Sequence, residues 1–371
     1  MKRILAFCLS FFCFLGMANA KEYKAVLVAD IDSGRVLYQE NANQLNYPAS
    51  LTKIMTLYLT FDALENNRLH LDDYLIVSQY AADAQPVKLG LTAGSKIKVE
   101  DAIKAVAVHS ANDVARVLAE NLKGGKEGNF ADLMTRVANE IGLQNTNFEN
   151  SSGLPNDDHM STARDIALLS MAVYKHFPQY WKYFGIKNWT YNGKTYTNGN
   201  RLLGTYPGCD GMKTGFTNKS KYSLVATANR EGSHLIAVVL GAENKDVRAK
   251  TAAELLNIGF SKLGIKTSAN SYQTHMVAPT KNNPVAKYAT PETKTPSYSY
   301  GNVGVQCGAF SVYDTAKKQA QRVNSITGLM PDVQQNETGL YRVRINGLNE
   351  NSAQNAKNMA GANGIDCYVF H

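Results

Sequence analysis

The chain has 371 residues, of which 44% are hydrophobic and 19% charged, so it can bury a large core and is not a wholly disordered protein. Its formal net charge of +8 is spread along the chain without a basic block, which argues against nucleic acid as a partner. A mildly basic surface suits an anionic polymer such as a cell wall, and it serves solubility equally well.

The N-terminal segment has the pattern of a cleaved signal peptide. Two cationic residues precede an apolar run over residues 4–15, and the small residues Ala18 and Ala20 then suit a signal peptidase. The alternative is a membrane-anchoring helix, for which the run is short. We therefore expect removal of residues 1–20, a mature chain that starts at Lys21, and an exported, periplasmic protein without a transmembrane anchor.

Residues 21–266 are predicted to form one mixed α/β domain. Alternating or continuous apolar runs predict strands and a closing helix, with further helices between them. The strands are expected at 25–28, 35–38, 222–228 and 234–240, and the closing helix at 246–263. Because strands lie at both ends of the domain, we expect a sheet built from both termini with an inserted helical subdomain.

The C-terminal part divides into a linker and a small domain. Residues 267–299 are rich in polar residues and proline without apolar periodicity, which predicts a disordered linker. Residues 300–371 follow a β-α-β-β-α-β pattern, the split βαβ (ferredoxin-like) arrangement, in which the first and last strands are neighbours. Cys307 and Cys367 would lie on the apolar face of those strands, so a disulfide is plausible, and two buried thiols are the alternative.

The first reactive cluster is Ser50-Leu51-Thr52-Lys53. Residues three apart share a helix face, so the hydroxyl and the amine can touch. A lysine with the usual pKa of ~10.4 is charged at neutral pH, and its pKa must fall by about three units before it can act as a base. The predicted helix from Ala49 is apolar on nearly every side, so burial can lower the pKa, and Lys213 would add charge repulsion. The alternative is a solvent-facing serine and lysine.

The second cluster is Ser110-Ala111-Asn112, which follows an apolar stretch. Ser110 could relay a proton to a leaving amine, and Asn112 could hydrogen-bond a substrate amide. Taken alone, this spacing suits a helix N-cap or a turn better.

The third cluster is Lys213-Thr214-Gly215 on a predicted strand. Its lysine and threonine could hold a carboxylate, and its glycine would let a ligand approach the backbone closely. Taken alone, it is equally an ordinary hairpin strand. Together, the three clusters supply what is needed to open an amide or a β-lactam through an acyl-serine intermediate.

Longer motifs surround these clusters: Tyr47–Thr56, His109–Asp113, Gly153–Pro155, His159–Asp165, Asn198–Leu203 and Asp210–Thr217. With them, residues 21 to about 265 resemble the serine D-alanyl-D-alanine carboxypeptidases, the low-molecular-mass penicillin-binding proteins of peptidase family S11. The resemblance implies a β-lactamase/transpeptidase-like fold of the α/β (α+β) class. It implies no metal and no cofactor.

The resemblance also implies roles for individual residues. Ser50 would attack the carbonyl between two D-alanines of a peptidoglycan stem peptide, Lys53 would accept its proton, and Ser110 would pass a proton to the departing D-alanine. Substrate would be bound by the residues Asn112, Lys213, Thr214, Gly215 and Phe216, with the N–H groups of Ser50 and Phe216 as the oxyanion hole. Arg201 or Arg248 would bind the terminal carboxylate. β-Lactams would inhibit by acylating Ser50.

The tail resembles the SPOR domain, which binds glycan strands stripped of their peptides, in Val305–Phe310 and Tyr341–Val343. It stands where relatives often carry a β-rich domain and an amphipathic membrane helix. The resemblance places the polar or aromatic side chains of the outer sheet face on the glycan: Gln306, Arg342, Arg344 and Tyr368. The alternative is a plain solvated sheet surface.

Two competing functions remain at this point. A β-lactamase shares all three clusters, but the Glu-x-x-Leu-Asn pattern of the class A enzymes is missing between Ser110 and Lys213. A catalytically inert peptidoglycan-binding protein is the second alternative, although every reactive residue is present.

Overall fold

The computed structural model describes residues 22–267 and 303–371, apart from positions 328, 330, 337, 338 and 349. The predicted signal peptide and, save for its first residue, the predicted linker lie outside the described residues.

The first described stretch is a mixed α/β unit. Its strands are β1 (Ala25–Asp30), β2 (Val36–Glu40), β3 (Tyr74–Ile76), β4 (Lys96–Lys98), β5 (Asn188–Tyr191), β6 (Lys194–Thr197), β7 (Cys209–Thr217), β8 (Lys221–Arg230) and β9 (Ser233–Ala242). Its α-helices are α1 (Lys53–Glu65), α2 (Gln79–Ala82), α3 (Val99–Lys104), α4 (Asn112–Lys123), α5 (Glu127–Glu140), α6 (Ala163–His176) and α7 (Lys245–Lys262). Helical turns that are not α-helical span Ala49–Thr52, Ala105–His109 and Pro178–Gly185.

The main sheet has the strand order β2-β1-β9-β8-β7, with antiparallel neighbours throughout. Two of its strands, β1 and β2, come from the start of the domain's sequence, and β7, β8 and β9 come from the end. The segment that contains α1 to α6 is inserted between β2 and β7. This confirms the predicted sheet with an inserted helical subdomain.

Period-two alternation divides the core between the two faces of the sheet. On β1, Val26 and Val28 pack with α7, whereas Ala25, Leu27 and Ala29 pack with the inserted helices. The sheet is thus covered on both faces, and β7 is one of its two edge strands, with β2 the other. The outer edge of β7 has no partner strand among the described residues, so it is open toward the start of α1.

The second described stretch contains β10 (Val303–Phe310), α8 (Tyr313–Thr327), β11 (Asp332–Gln335), β12 (Tyr341–Leu348), α9 (Glu350–Ala362) and β13 (Tyr368–Phe370). Its sheet order is β11-β12-β10-β13, so the first and last strands pair as predicted. Cys307 and Cys367 are joined by a disulfide with a Cα–Cα distance of 4.2 Å, inside a core with α8 and α9. In the part of the chain that the structure describes, no helix is long and apolar enough to span a bilayer.

Candidate active site

Ser50 lies in the short helical turn that leads into α1, and Lys53 is the first residue of α1 itself. The turn follows Pro48, and Ala49 has a φ of 49°, a left-handed conformation that a non-glycine residue rarely adopts. The Lys53 Nζ atom is 3.1 Å from the Ser50 Oγ atom. The amine and the hydroxyl are therefore in contact, as the spacing predicted.

Lys53 is completely buried, and its Nζ atom has three partners. Besides Ser50 they are the Asn112 Oδ1 atom at 2.7 Å and the Ser152 carbonyl oxygen at 2.6 Å. Burial, and after it the charge of Lys213, hold the pKa of Lys53 well below its usual value. A neutral amine has two N–H bonds and one lone pair, so it can donate to the two carbonyl oxygens and accept the hydroxyl proton of Ser50.

Side chains of α1 and α5 hold the loop that supplies the Ser152 carbonyl. Glu127 accepts hydrogen bonds from the Ser151 N–H and hydroxyl groups, and the Thr56 hydroxyl donates to the Ser151 carbonyl at 2.6 Å. Gly153 has a φ of 81°, and a Cβ atom there would lie 1.8 Å from the Ala49 carbonyl oxygen. Only glycine permits this approach of the loop to the nucleophile turn.

His159 is a buried support that the sequence did not single out for a role. Its Nδ1 atom accepts from the Glu149 N–H at 3.1 Å, so its Nε2 atom carries the proton and donates to the Thr52 hydroxyl at 2.8 Å. Burial, helped by the charge of Lys53, lowers the pKa of His159 to about 4. The histidine therefore stays neutral and fixes the turn next to Ser50. Its partner lies far away in sequence, which is why no local pattern revealed it.

Ser110 follows the helical turn Ala105–His109 and has a left-handed φ of 67°. Lys213, on β7 and 1% exposed, donates from its Nζ atom to the Ser110 Oγ atom at 2.9 Å and to the Thr214 carbonyl at 3.1 Å. Burial, with a contribution from Arg248, lowers the pKa of Lys213 to about 7. The structure thus brings the second and third clusters into one hydrogen-bonded unit beside Lys53.

Asn112 is tied to the protein at both ends of its amide. Its Oδ1 atom accepts from Lys53, and its Nδ2 atom donates to the Gln85 carbonyl at 2.8 Å. The geometry makes Asn112 a positioning group for the Lys53 amine. The sequence had indicated only a contact of Asn112 with substrate. Asp113, fully buried, accepts backbone N–H bonds from Leu89, Gly90 and Leu91, and so fixes that loop next to Asn112.

β7 is anchored behind the site by Asp210. Its carboxylate accepts hydrogen bonds from Trp181, Thr227 and His234 at 2.7–3.1 Å. Burial alone would raise the pKa of Asp210, but the bond and charge of His234, with the other two donors, lower it. Gly215 on the same strand faces the nucleophile turn, where an added Cβ atom would lie 3.3 Å from the Ser50 nitrogen. Asp210 therefore fixes the start of β7, and Gly215 lies against the nucleophile turn farther along the same strand.

The two candidate arginines differ in their surroundings. Arg201 is exposed and paired with Asp246. Arg248 is 5% exposed, donates to the Gly199 carbonyl at 3.1 Å, and its Nε atom has no hydrogen-bond partner among the described residues. A Cβ atom on Gly199 would lie 2.8 Å from the Thr214 hydroxyl, so Arg248 adjoins the third cluster.

Phe216 and Cys209 lie at opposite ends of β7. Phe216 continues β7 and is 47% exposed. Cys209 is a free thiol on β7, and burial raises its pKa to about 11, which keeps it protonated and poorly nucleophilic.

The predicted glycan-binding residues occupy the tail sheet. Arg344, Gln306 and Tyr368 lie directly opposite one another on β12, β10 and β13 and therefore share a face. Gln306 is 5% exposed and accepts a hydrogen bond from the Arg344 Nε atom at 2.8 Å, while the Arg344 guanidinium lies 4.6 Å from the centre of the Phe370 ring. Gln306 thus positions Arg344 and is itself covered. Arg342 lies on β12 opposite Ala309.

Comparisons with known proteins agree with the residue patterns. A family model described as D-alanyl-D-alanine carboxypeptidase, peptidase S11, matches residues 17–244, and a SPOR domain model matches residues 299–370. The chain is 34% identical over 273 residues to the D-alanyl-D-alanine carboxypeptidase DacF of Bacillus subtilis, an alignment that covers 72% of this chain and 67% of that protein. It is 38% identical over 250 residues to DacC of Escherichia coli, covering 66% and 62%. The matched part thus spans about two thirds of these relatives' length.

Solved structures show the same likeness. The D-alanyl-D-alanine carboxypeptidase DacD of Francisella tularensis superposes with a TM-score of 0.62 at 28% identity, over 70% of this chain and 74% of that one. Penicillin-binding protein D2 of Listeria monocytogenes, in its ampicillin-bound form, gives 0.60 at 32% identity, over 64% and 98%. These neighbours confirm the predicted α/β fold class.

We predict that Lys213→Met stabilises the fold at neutral pH. The unfolded chain binds the lysine proton up to a pKa of 10.5, whereas the folded chain releases it near 7, so wild-type stability rises with pH across that window. Methionine removes this cost, and the variant should exceed wild type by on the order of 2 kcal/mol at pH 7, with the gain shrinking toward pH 10. Urea unfolding at several pH values measures it. A gain independent of pH would contradict the prediction, and exposed Lys123→Met is the control.

Proposed function

Because the chain belongs to the peptidase S11 family of D-alanyl-D-alanine carboxypeptidases, we propose that it removes the terminal D-alanine from peptidoglycan stem peptides through an acyl-serine intermediate. The observation that carries the proposal is the contact between Ser50 and the buried Lys53 amine, whose pKa is strongly lowered. The other two clusters surround that contact, as an amide-cleaving site requires.

In the first step, Lys53 accepts the hydroxyl proton while Ser50 Oγ bonds to the carbonyl carbon of the penultimate D-alanine. The developing oxyanion is held by the N–H groups of Ser50 and Phe216, which lie on the two elements that meet at Gly215. The carbon–nitrogen bond then breaks, and Ser110, backed by Lys213, delivers a proton to the departing amine. The proton held by Lys53 then restores Ser110. Water attacks the acyl-serine and gives a proton to Lys53, which passes it to Ser50 Oγ as the ester bond breaks, and the shortened peptide leaves.

The open edge of β7 offers backbone groups to an extended peptide running antiparallel to it. The terminal carboxylate would then lie beside Thr214, within reach of Arg248. Of the two arginines, Arg248 suits this role because its Nε atom lacks a partner within residues 22–267 and 303–371 as described, and burial lowers its pKa to about 10, which marks a cation short of counter-charge. Arg201 already has Asp246.

β-Lactams would acylate the same serine, because a strained cyclic amide mimics the scissile bond. The likeness to a Listeria protein crystallised with ampicillin supports this extension.

The tail gives the enzyme a second contact with its substrate polymer. The proposed glycan surface is the outer sheet face, where Tyr368 is 51% exposed and Arg344 and Arg342 are half-buried. A tyrosine ring can stack on a sugar, and guanidinium groups can donate to hydroxyls. The whole chain would be a signal peptide (1–20), a carboxypeptidase domain (21–266), a linker (267–299) and a SPOR domain (300–371), exported to the periplasm and associated with the wall.

We predict that Ser50→Ala abolishes both D-alanine release from a pentapeptide and labelling by a fluorescent penicillin, while its unfolding curve stays close to wild type. Residual labelling in this variant would refute the assignment of the nucleophile. In the wild-type protein, rapid penicillin turnover without D-alanine release would instead indicate a β-lactamase, and neither signal would indicate a binding protein.

We predict that Arg248→Gln raises KM for a pentapeptide about tenfold, since a charge-assisted bond to the carboxylate is lost. The matched control is Arg201→Gln, which should change KM by less than about twofold. Steady-state D-alanine release measures both. Equal effects of the two substitutions would contradict the assignment.

We predict that Tyr368→Ala and Arg344→Ala weaken binding to amidase-treated wall sacculi without changing turnover of a soluble pentapeptide. A pull-down with sacculi measures the first property. The control is Lys357→Ala on α9, away from the sheet face. If Tyr368→Ala and Arg344→Ala both bind sacculi as well as wild type does, the assignment of this sheet face to glycan binding is wrong.

A further inference from the structure

A charged cluster that the reaction above does not use lies beside the nucleophile turn. It consists of Tyr47, Asp157 and Lys219. The Lys219 ammonium is paired with an Asp157 carboxylate oxygen, and the Tyr47 hydroxyl donates to the same oxygen at 3.3 Å. The ammonium also lies 5.4 Å from the centre of the Tyr47 ring. We call this group the rim cluster.

Each member of the rim cluster extends a segment that carries the chemistry. Tyr47 lies two residues before the helical turn that presents Ser50, separated from it by Pro48. Asp157 follows the loop whose Ser152 carbonyl accepts from Lys53, and Lys219 follows the end of β7. Three segments that meet at the reacting atoms therefore meet again just beyond them.

The pair in the rim cluster is open to solvent. The side chain of Asp157 is 79% exposed and that of Lys219 is 51% exposed. An ion pair so placed adds little to the stability of the fold, because water solvates both charges and their side chains lose freedom. For the same reason, a ligand that brings one charge of each sign can replace either partner at small cost.

The direction of the substrate leads to this cluster. The bound peptide has its terminal carboxylate beside Thr214 and its scissile carbonyl at Phe216. Because it is antiparallel to β7, the residues that precede the scissile bond in the peptide lie toward the C-terminal end of β7. Each extended residue advances the peptide by about 3.4 Å. The residue before the two D-alanines then lies opposite Thr217, and a long side chain on it can reach Lys219 and Asp157.

We propose that the rim cluster binds the side chain of the stem-peptide residue that precedes D-Ala-D-Ala, in stem peptides where that side chain ends in both an amine and a carboxylate. The ligand amine pairs with Asp157 and the ligand carboxylate with Lys219, while the Tyr47 ring packs on the methylene groups between them. This assignment rests on the proposed function and deepens it by naming the substrate class.

Four peptides that end in D-Ala-D-Ala test it, with diaminopimelate, lysine, 2-aminopimelate or alanine as the preceding residue. The diaminopimelate side chain ends in both an amine and a carboxylate, that of lysine in the amine alone, that of 2-aminopimelate in the carboxylate alone, and that of alanine in neither. Full-length protein with Ser50→Ala binds them without turnover, and calorimetry gives each Kd. We expect diaminopimelate to bind about fivefold more tightly than alanine.

The variants then separate the two charges. Added to Ser50→Ala, Asp157→Asn should remove the advantage of lysine, and Lys219→Ala should remove that of 2-aminopimelate, with the alanine peptide unchanged in both. The control is Asp72→Asn, which breaks the exposed pair with Lys98 on β4 and should alter none of the four. Equal Kd values for all four peptides, or variants that weaken all four alike, would overturn the rim assignment.

The same peptides distinguish a failure of the rim-cluster proposal from a failure of the proposed carboxypeptidase function. Absence of D-alanine release from the alanine peptide by the wild-type protein would count against the carboxypeptidase, whatever the calorimetry shows. Release of D-alanine with no side-chain preference in binding would leave the carboxypeptidase standing and reject the rim cluster.

Discussion

A single buried amine, that of Lys53, is the constraint on which the site depends. Its Nζ atom is in contact with the Ser50 hydroxyl, the Asn112 amide oxygen and the Ser152 carbonyl, and it has no exposure to water. An ammonium there would be desolvated, so the neutral form is favoured, and a neutral amine can take the serine proton. Two of the three partners come from other segments, which therefore have to be held in place.

The rest of the fold supplies those supports at a cost in local strain. Ala49 and Ser110 both adopt left-handed conformations, which are unfavourable for residues with a side chain and persist only where the surroundings fix them. Asp210 fixes β7 and Asp113 fixes the loop over residues 89–91, each through several hydrogen bonds. A site that stabilises a developing oxyanion needs this rigidity, because its donors must be in position before the reaction starts.

The sequence was sufficient for the strands of the main sheet, the presence of an inserted helical subdomain and the pairing of Ser50 with Lys53, because those follow from periodicity and from residues close together in the chain. The short strands β3 to β6 were not predicted. The sequence also did not reveal the support by His159 or the burial of Gln306. Each depends on contacts between distant segments, which no local pattern encodes. Likewise, sequence left the two arginines equivalent, and only their burial and partners distinguish Arg248 from Arg201.

The most direct test of the account is the titration of Lys53 itself, by NMR of the full chain with labelled lysine and assignment through Lys53→Arg. The account predicts a side-chain signal that reports a neutral amine at pH 7 and titrates well below the usual lysine range. A Lys53 signal that remains that of an ammonium up to pH 10 would contradict it.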